Sequence, residues 1–205
     1  MVRRPSTKEV AGEAEKLAAK YGLPEFTTDL TPAQIEANLA AHMSGSKTPP
    51  VLYHGTTTGN IETFRDKSRG PKLMDGLGAH FGTVDAAQDR IAQNVGKNAE
   101  GANILPVHVN VQNPPLKKDG NYMTEGELQS FLSRIASNLG IPKSEHRRMA
   151  VYGGVKPPVY AKLKDELKAR GYDGLAYVNS HEGRGSTSWV AFDPAQQVKS
   201  TMNRG

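Results

Sequence analysis

Apolar residues are spaced differently in the first quarter of the chain and in the rest. The alanine-rich run from Val10 to Tyr21 and a second segment from about Pro32 to Met43 carry apolar residues at helical spacing. Residues 44–50 are rich in Ser, Gly and Pro, which is typical of a linker. We therefore expect an N-terminal helical extension with its linker over residues 1–50 and a separate domain over residues 51–205.

The second region alternates short apolar runs, which predict strands, with amphipathic segments, which predict helices. The predicted strands are residues 51–54, 79–81, 104–111, 174–178 and 189–192. The predicted helices begin after Thr83 or Asp85, at a capping box formed by Thr124 and Glu127, and at about Val159, with Gly140 and Gly171 ending the last two. Because the strands are short and their connections vary, the pattern predicts an α+β fold rather than a doubly wound sheet.

The composition is that of an ordinary globular protein with many turns, and 205 residues suffice for one well-buried core with an appendage. The chain contains no cysteine, which excludes disulfides and thiol catalysis. Its 6 histidines lack metal-ligand spacing, so we expect no metal. The net charge of +5 is spread along the chain and indicates a basic surface. No apolar run has the length of a membrane span or of a signal peptide, so we expect neither.

Two short blocks place a histidine within two residues of a glycine, His54-Gly55-Thr56 and His80-Phe81-Gly82. A lone histidine after an apolar strand is most often a core residue. Here the glycines let a flat ring approach the main chain, the threonine hydroxyl adds hydrogen-bonding capacity, and the phenylalanine offers a face for stacking. These groups suit an amide-bearing aromatic ligand, and we therefore predict a small-molecule cleft between two sheet edges.

Five segments, in this order along the chain, carry a resemblance to a known family. They are residues 52–56, 76–83, 107–114 (Val-His-Val-Asn-Val-Gln-Asn-Pro), 171–179 and 192–200 (Phe-Asp-Pro-Ala-Gln-Gln-Val-Lys-Ser). The series resembles the ADP-ribosyltransferase fold of the diphtheria-toxin and poly(ADP-ribose) polymerase lineage, and in particular the polyvalent ADP-ribosyltransferase domains of phage and mobile-element proteins. The resemblance implies split antiparallel β-sheets that form an NAD cleft.

The resemblance implies that NAD is the substrate and that its bond between nicotinamide and ribose is broken. It implies that His54 holds a ribose hydroxyl and acts in catalysis, and that the backbone of Gly55 contacts the nicotinamide carboxamide. In the family, a tyrosine stacks on nicotinamide at the position that His80 occupies here, with Phe81 next to it. Together with Thr56, these residues form the predicted NAD-binding set.

The family's catalytic glutamate opens the last core strand, and the resemblance puts Ser188 at that position. A carboxylate there stabilises the positive charge that develops on the ribose. The nearest carboxylate is Glu182, in a loop flanked by glycines, and Glu182 is therefore the predicted catalytic carboxylate. Asp193 is the alternative, although it follows the far end of the predicted strand.

Other polar residues near the third motif are weaker candidates. Gln196 and Gln197 are able to hold a hydroxyl but supply no negative charge. Arg184 is predicted to pair with the pyrophosphate of NAD. Arg90 is interpreted as an ordinary surface arginine.

These inferences predict a mono-ADP-ribosyltransferase, a glycosyltransferase that splits NAD and transfers ADP-ribose to a host protein or nucleic acid. The resemblance implies a phage or mobile-element enzyme that acts in the cytoplasm of a host bacterium, with packaging in the virion as a variant of this hypothesis. The alternative is a catalytically inactive module with a structural or interaction role, in which residues 1–50 dock onto a larger assembly such as a virion. A third hypothesis, a basic nucleic-acid binder, predicts affinity that falls steeply with salt.

Overall fold

The structure is a computed structural model, and it describes residues 30–57, 64, 76–94, 102–146 and 157–201. The chain divides into two compact units, residues 1–38 with 204–205 and residues 39–203. The helix predicted from Val10 to Tyr21 lies outside the described residues. Helix α1 spans Pro32–Met43, as predicted, and begins at a capping box in which Thr31 and Gln34 exchange hydrogen bonds.

Further helices follow in the described part of the chain, of which the last and shortest was not predicted. These are α2 (Val84–Asn94), α3 (Glu125–Asn138), α4 (Pro157–Ala169) and α5 (Pro194–Gln197). Helix α3 begins at the predicted capping box, in which the Thr124 hydroxyl accepts the Glu127 N–H and the Glu127 carboxylate accepts the Thr124 N–H. Gly140 and Gly171 follow α3 and α4 with φ of 68° and 86°, the left-handed conformation in which glycine ends helices.

The described residues form seven strands in two sheets. These strands are β1 (Leu52–Thr56), β2 (Ala79–Phe81), β3 (Asn103–Val109), β4 (Met123–Thr124), β5 (Gly174–Val178), β6 (Thr187–Ala191) and β7 (Val198–Ser200). The first sheet is antiparallel with the order β1-β3-β7. The second has the order β2-β6-β5-β4, in which β4 and β5 run parallel and the other neighbours antiparallel. This combination of helices with two largely antiparallel sheets confirms the predicted α+β class.

The sheets differ from the prediction at strand ends and in two short strands. Strand β3 runs through Pro106, which lacks an N–H. The proline is tolerated because Tyr53, its partner in β1, directs its own N–H and C=O to Gly82 instead. Strands β4 and β7 were not predicted, since two or three residues carry no periodic pattern. They form by pairing with β5 and β3 respectively.

The two sheets meet at Tyr53 and Gly82, where each N–H donates to the other residue's carbonyl at 2.9 and 3.0 Å. Beyond this pair, β1 and β2 belong to different sheets, and we call the region between them the split. One core contains side chains from both sheets: Leu52, Phe81, Val107, Val109, Val111, Ala176, Trp189 and Ala191. The opposite face of the second sheet packs on α3 and α4 through residues such as Leu128, Leu132, Leu163, Leu167, Leu175 and Val190.

Polar residues from three of the motif segments tie strand ends together. The two carboxylate oxygens of Asp173 accept the N–H groups of Gln112 and Asn113 at 2.7 and 2.8 Å. The Gln197 Nε2 donates to the carbonyls of Asn110 and Asp173 at 2.9 and 3.0 Å. We call these five residues the brace. Their side chains bind other parts of the chain, so this part of the motif series has a structural role.

The segment predicted as a linker, residues 44–50, packs on the end of β3. The hydroxyls of Ser46 and Thr48 donate to the Val109 carbonyl, and the Lys47 N–H donates to the Val111 carbonyl at 2.8 Å. The predicted domain boundary after residue 50 stays a prediction.

Candidate active site

Strand β1 carries His54 to the split. Its Nδ1 lies 2.8 Å from the carbonyl oxygen of His80 in β2. Because a carbonyl oxygen only accepts hydrogen bonds, Nδ1 carries the proton, and Nε2 of the neutral ring is an acceptor. The ring also packs edge-on against Phe64 and at an angle on Phe81, with centroid distances of 5.2 and 5.6 Å. These contacts hold the imidazole in one orientation.

The backbone of Gly55 is directed to the same edge of β1 as that of Tyr53. In an antiparallel strand, successive residues direct their N–H and C=O to opposite edges. Tyr53 bonds to Gly82 across the junction of the sheets, so Gly55, two residues further on, directs its N–H and C=O away from β3 and toward the split. This edge therefore presents a donor and an acceptor side by side.

Helix α2 covers β1 where Gly55 lacks a side chain. A Cβ at residue 55 would lie 2.3 Å from the Ala87 carbonyl oxygen, so the close approach of the helix requires glycine. The role predicted from the sequence for this glycine, the approach of a ligand ring to the main chain, stays a prediction beside this packing role. The helix begins after Thr83, whose hydroxyl accepts the N–H of Ala86 at 3.2 Å.

The neighbouring residues His80 and Phe81 have side chains on opposite faces of β2, because side chains alternate along a strand. Phe81 is opposite Trp189 in the register with β6 and contacts the ring of His54. His80 is opposite Val190 and supplies its main-chain carbonyl to His54. The ring of Phe81 thus contacts His54, and stacking by His80 on a ligand stays a prediction.

Ser188 lies in β6 with only 5% of its surface exposed. Its Oγ accepts a hydrogen bond from Nδ2 of Asn179 at 2.9 Å. The same oxygen is 3.6 Å from the point where a Cβ of Gly82 would lie, which puts it beside the junction of the sheets. The position that the resemblance assigns to a glutamate therefore holds a hydroxyl that binds a neighbouring side chain.

Glu182 lies in the segment between β5 and β6, residues 179–186, which we call the β5–β6 loop. Its Oε1 is 3.3 Å from Nη1 of Arg90 in α2, and both side chains are largely shielded from solvent. Arg90, interpreted from the sequence as an ordinary surface residue, is thus the ion-pair partner of the predicted catalytic carboxylate. The second oxygen, Oε2, gives this carboxylate further capacity to accept hydrogen bonds.

The β5–β6 loop is anchored on two helices. The Gly183 N–H donates to the Asp89 carboxylate of α2 at 2.8 Å, and the Ser180 hydroxyl donates to the Glu125 carboxylate of α3 at 2.5 Å. Gly183 has a φ of 55°, a left-handed conformation that favours glycine. The loop that carries Glu182 is therefore held in place by hydrogen bonds to α2 and α3.

Helix α2 brings the two parts of the predicted site together. Ala87 contacts Gly55, and Arg90, three residues further along, pairs with Glu182. Three residues are slightly less than one helical turn, about 5 Å along the axis. The histidine strand and the Glu182 loop thus pack on neighbouring turns of one helix.

The remaining candidates have diverse surroundings. Thr56 is buried at the end of β1, and Arg184 is exposed in the β5–β6 loop, so the predicted roles of both stay predictions. Asp193 follows the opposite end of β6 and pairs with Lys168 at 2.6 Å. The amide of Gln197 belongs to the brace.

Asn179 and the pairing of Arg90 with Glu182 were not predicted from the sequence. Asn179 begins a Ser-, His- and Gly-containing loop, which is typical of an Asx turn, in which the side chain accepts the N–H two residues further on. That bond is present, from His181 at 2.9 Å. The ion pair joins residues 92 positions apart, so it leaves no local signal.

Two sheets that separate beyond one shared pair, with a bonded histidine at the edge and a helix packed over it, define an α+β domain of the ADP-ribosyltransferase class. The family model described as ADP-ribosyltransferase in polyvalent proteins matches residues 45–205. The chain belongs to this family, as the resemblance predicted. No curated protein and no solved structure matches the chain. None of the helices in the described part of the chain combines the length and apolar composition that crossing a membrane requires.

Proposed function

We propose that this protein is a mono-ADP-ribosyltransferase that binds NAD in the split, breaks the bond between nicotinamide and ribose, and transfers ADP-ribose to a macromolecule. The observation that carries this proposal is the bond from the His54 Nδ1–H to the His80 carbonyl, which makes Nε2 an acceptor at the split. A ribose hydroxyl is a donor that suits this nitrogen. The family of the chain supports NAD as the source of the transferred group.

The nicotinamide end of NAD suits the edge of β1 beside His54. A primary carboxamide carries an N–H donor next to a carbonyl acceptor, and the backbone of Gly55 directs the complementary pair toward the split. The ring of Phe81 is buried in the core beside His54, and in this proposal it contributes by holding the histidine ring at the edge where nicotinamide binds. In this proposal Thr56 and His80 complete the nicotinamide and ribose contacts, and Arg184 pairs with the pyrophosphate.

Glu182 is proposed to stabilise the charge that develops during cleavage. When the glycosidic bond breaks, its electron pair passes to the positively charged nicotinamide ring, which leaves as a neutral molecule, and ribose C1 becomes an oxocarbenium centre. The negative charge of Glu182 favours this state, with Arg90 holding Oε1 while Oε2 accepts a ribose hydroxyl. A nucleophile of the acceptor then bonds to C1 and releases its proton to solvent.

The acceptor is proposed to be a host protein or nucleic acid. The resemblance to polyvalent domains of phage and mobile-element proteins supports an enzyme encoded by such an element and acting in the cytoplasm of a host bacterium. The net charge of +5 favours an acidic acceptor surface.

Nicotinamide release from NAD by the full chain tests this proposal. The Glu182→Gln substitution keeps the shape of the side chain and removes its charge, and we expect kcat to fall about 100-fold, the typical effect of removing one electrostatic contact in a transition state. The matched control is Glu166→Gln, which alters an exposed ion pair with Arg170 on α4 and should leave kcat unchanged. Equal rates for wild type and Glu182→Gln would contradict the proposed role of Glu182. Absence of turnover in the wild type would contradict the proposed enzymatic activity.

A second candidate function is a catalytically inactive module of the same fold. The hydroxyl of Ser188, bound to Asn179 where the family has a carboxylate, favours this alternative. It predicts no heat of NAD binding in calorimetry with the full chain and a need for residues 1–50 in association with a large particle such as a virion.

A further inference from the structure

We infer that Asn179 is a positioning residue that holds Glu182 at the split and that Ser188, where the family has its glutamate, serves as the anchor of Asn179. The inference rests on the proposed role of Glu182. It adds how Glu182, a loop residue, is held so that it replaces the glutamate that the family carries on a strand. It is based on the hydrogen bonds that join the three residues.

The side chain of Asn179 connects β6 to the β5–β6 loop. Its Nδ2 donates to the Ser188 hydroxyl at 2.9 Å, which also fixes the orientation of the amide. Its Oδ1 accepts the N–H groups of His181 and Glu182, both at 2.9 Å. The backbone of Glu182 is therefore bonded, through one amide, to the residue in the family's catalytic position.

The main chain of Asn179 closes the same loop. Its N–H donates to the Ser186 carbonyl, and its carbonyl accepts the Gly185 N–H, both at 2.9 Å. Asn179 is only 5% exposed, so loss of its side chain would leave two loop N–H groups and a buried hydroxyl without their partner.

The position of the Glu182 carboxylate then follows from two constraints. Asn179 fixes the backbone N–H of Glu182, and Arg90 holds Oε1 from α2. A strand-borne glutamate has its backbone fixed by sheet hydrogen bonds, whereas a loop residue has none of these. The Asn179 amide supplies that missing constraint.

A double-mutant cycle on the full chain tests the inference. We expect Asn179→Ala to lower kcat for nicotinamide release about 100-fold, as misplacement of a reacting group by about 1 Å does, with KM for NAD changed less than about threefold. If Asn179 acts through Glu182, Asn179→Ala should cause no further loss in the Glu182→Gln background. Hydrogen exchange of residues 180–186 should accelerate in Asn179→Ala.

Two further variants separate positioning from folding. Asn179→Asp retains an acceptor for both loop N–H groups and should retain most of the wild-type kcat, a comparison that does not need Asn179→Ala to be stable enough to assay. The control Asn113→Ala removes a comparable amide, which donates to the Gly171 carbonyl, and should leave kcat unchanged.

The outcomes distinguish the two proposals. A wild type that releases no nicotinamide would overturn the proposed function and this inference with it. An active wild type whose kcat is unchanged in Asn179→Ala would overturn the inference alone, and so would a loss of equal size in the wild-type and Glu182→Gln backgrounds.

Discussion

Carboxylates flank both ends of strand β5, Asp173 before it and Glu182 after it, and their partners differ. Both oxygens of Asp173 accept backbone N–H groups, at 2.7 and 2.8 Å. Glu182 has one ion-pair contact, from Oε1 to Arg90 at 3.3 Å. A carboxylate fully used by the backbone stabilises the fold, whereas one with an oxygen to spare is able to bind a ligand. The use of the carboxylate oxygens therefore separates the brace from the candidate active site. Residues of the five motif segments contribute to both regions.

The largest effect is expected at Gly55, where site and fold depend on the same residue. Gly55→Ala would put a Cβ 2.3 Å from the Ala87 carbonyl oxygen, which forces α2 away from β1. We expect a loss of about 3 kcal/mol in the free energy of unfolding, the upper part of the range for overpacking. Urea denaturation measures it.

The matched control for this prediction is Gly126→Ala in α3, where an added Cβ meets nothing within 4 Å. Alanine at that helical position should change stability by less than about 1 kcal/mol and in the favourable direction. A Gly55→Ala protein as stable as the wild type would show that α2 does not pack on β1 in this way.

Residues with complete local signals were predictable, and those that depend on distant contacts were not. The capping box at Thr124 and the glycine at residue 140 define helix α3 within one stretch of sequence. Strand β7 has no such signal, because its three residues form a strand only by pairing with β3. The resemblance identified His54 and Glu182 as candidates, but the contacts of Arg90 and Asn179 with Glu182 depend on the fold of the β5–β6 loop and its packing on α2.

A smaller effect is expected at the brace. Asp173→Ala leaves the N–H groups of Gln112 and Asn113 without their acceptor. We expect the free energy of unfolding to fall by about 2 kcal/mol. The kcat of the folded protein should stay unchanged, which is the opposite of the result expected for Glu182→Gln. A large loss of kcat in Asp173→Ala, at a temperature where the protein is folded, would abolish the distinction between brace and site.

The smallest effect concerns pH and acts near the brace, because the His42 carbonyl accepts the Asn110 side chain. Burial lowers the pKa of His42 below its usual 6.5, and the positive charge of Lys199 lowers it further. His42 therefore binds a proton more readily in the unfolded chain than in the folded one. Its contribution to the free energy of unfolding is present above pH 6.5 and is lost as the pH falls through the lowered pKa of the folded state.

His42→Gln removes this titration. Between pH 7 and pH 5 the urea midpoint of the variant should fall less than that of the wild type, because all other groups titrate in both proteins. Identical pH dependence in the two proteins would mean that His42 is not shielded by the contacts described.

The most direct test of the central claim is a structure of the full chain with NAD or a non-hydrolysable analogue bound. We expect an oxygen of Glu182 to lie within about 3.2 Å of a hydroxyl on the ribose next to nicotinamide, with His54 Nε2 accepting from the same ribose. A ribose contacted by no carboxylate, or by one other than Glu182, would contradict it.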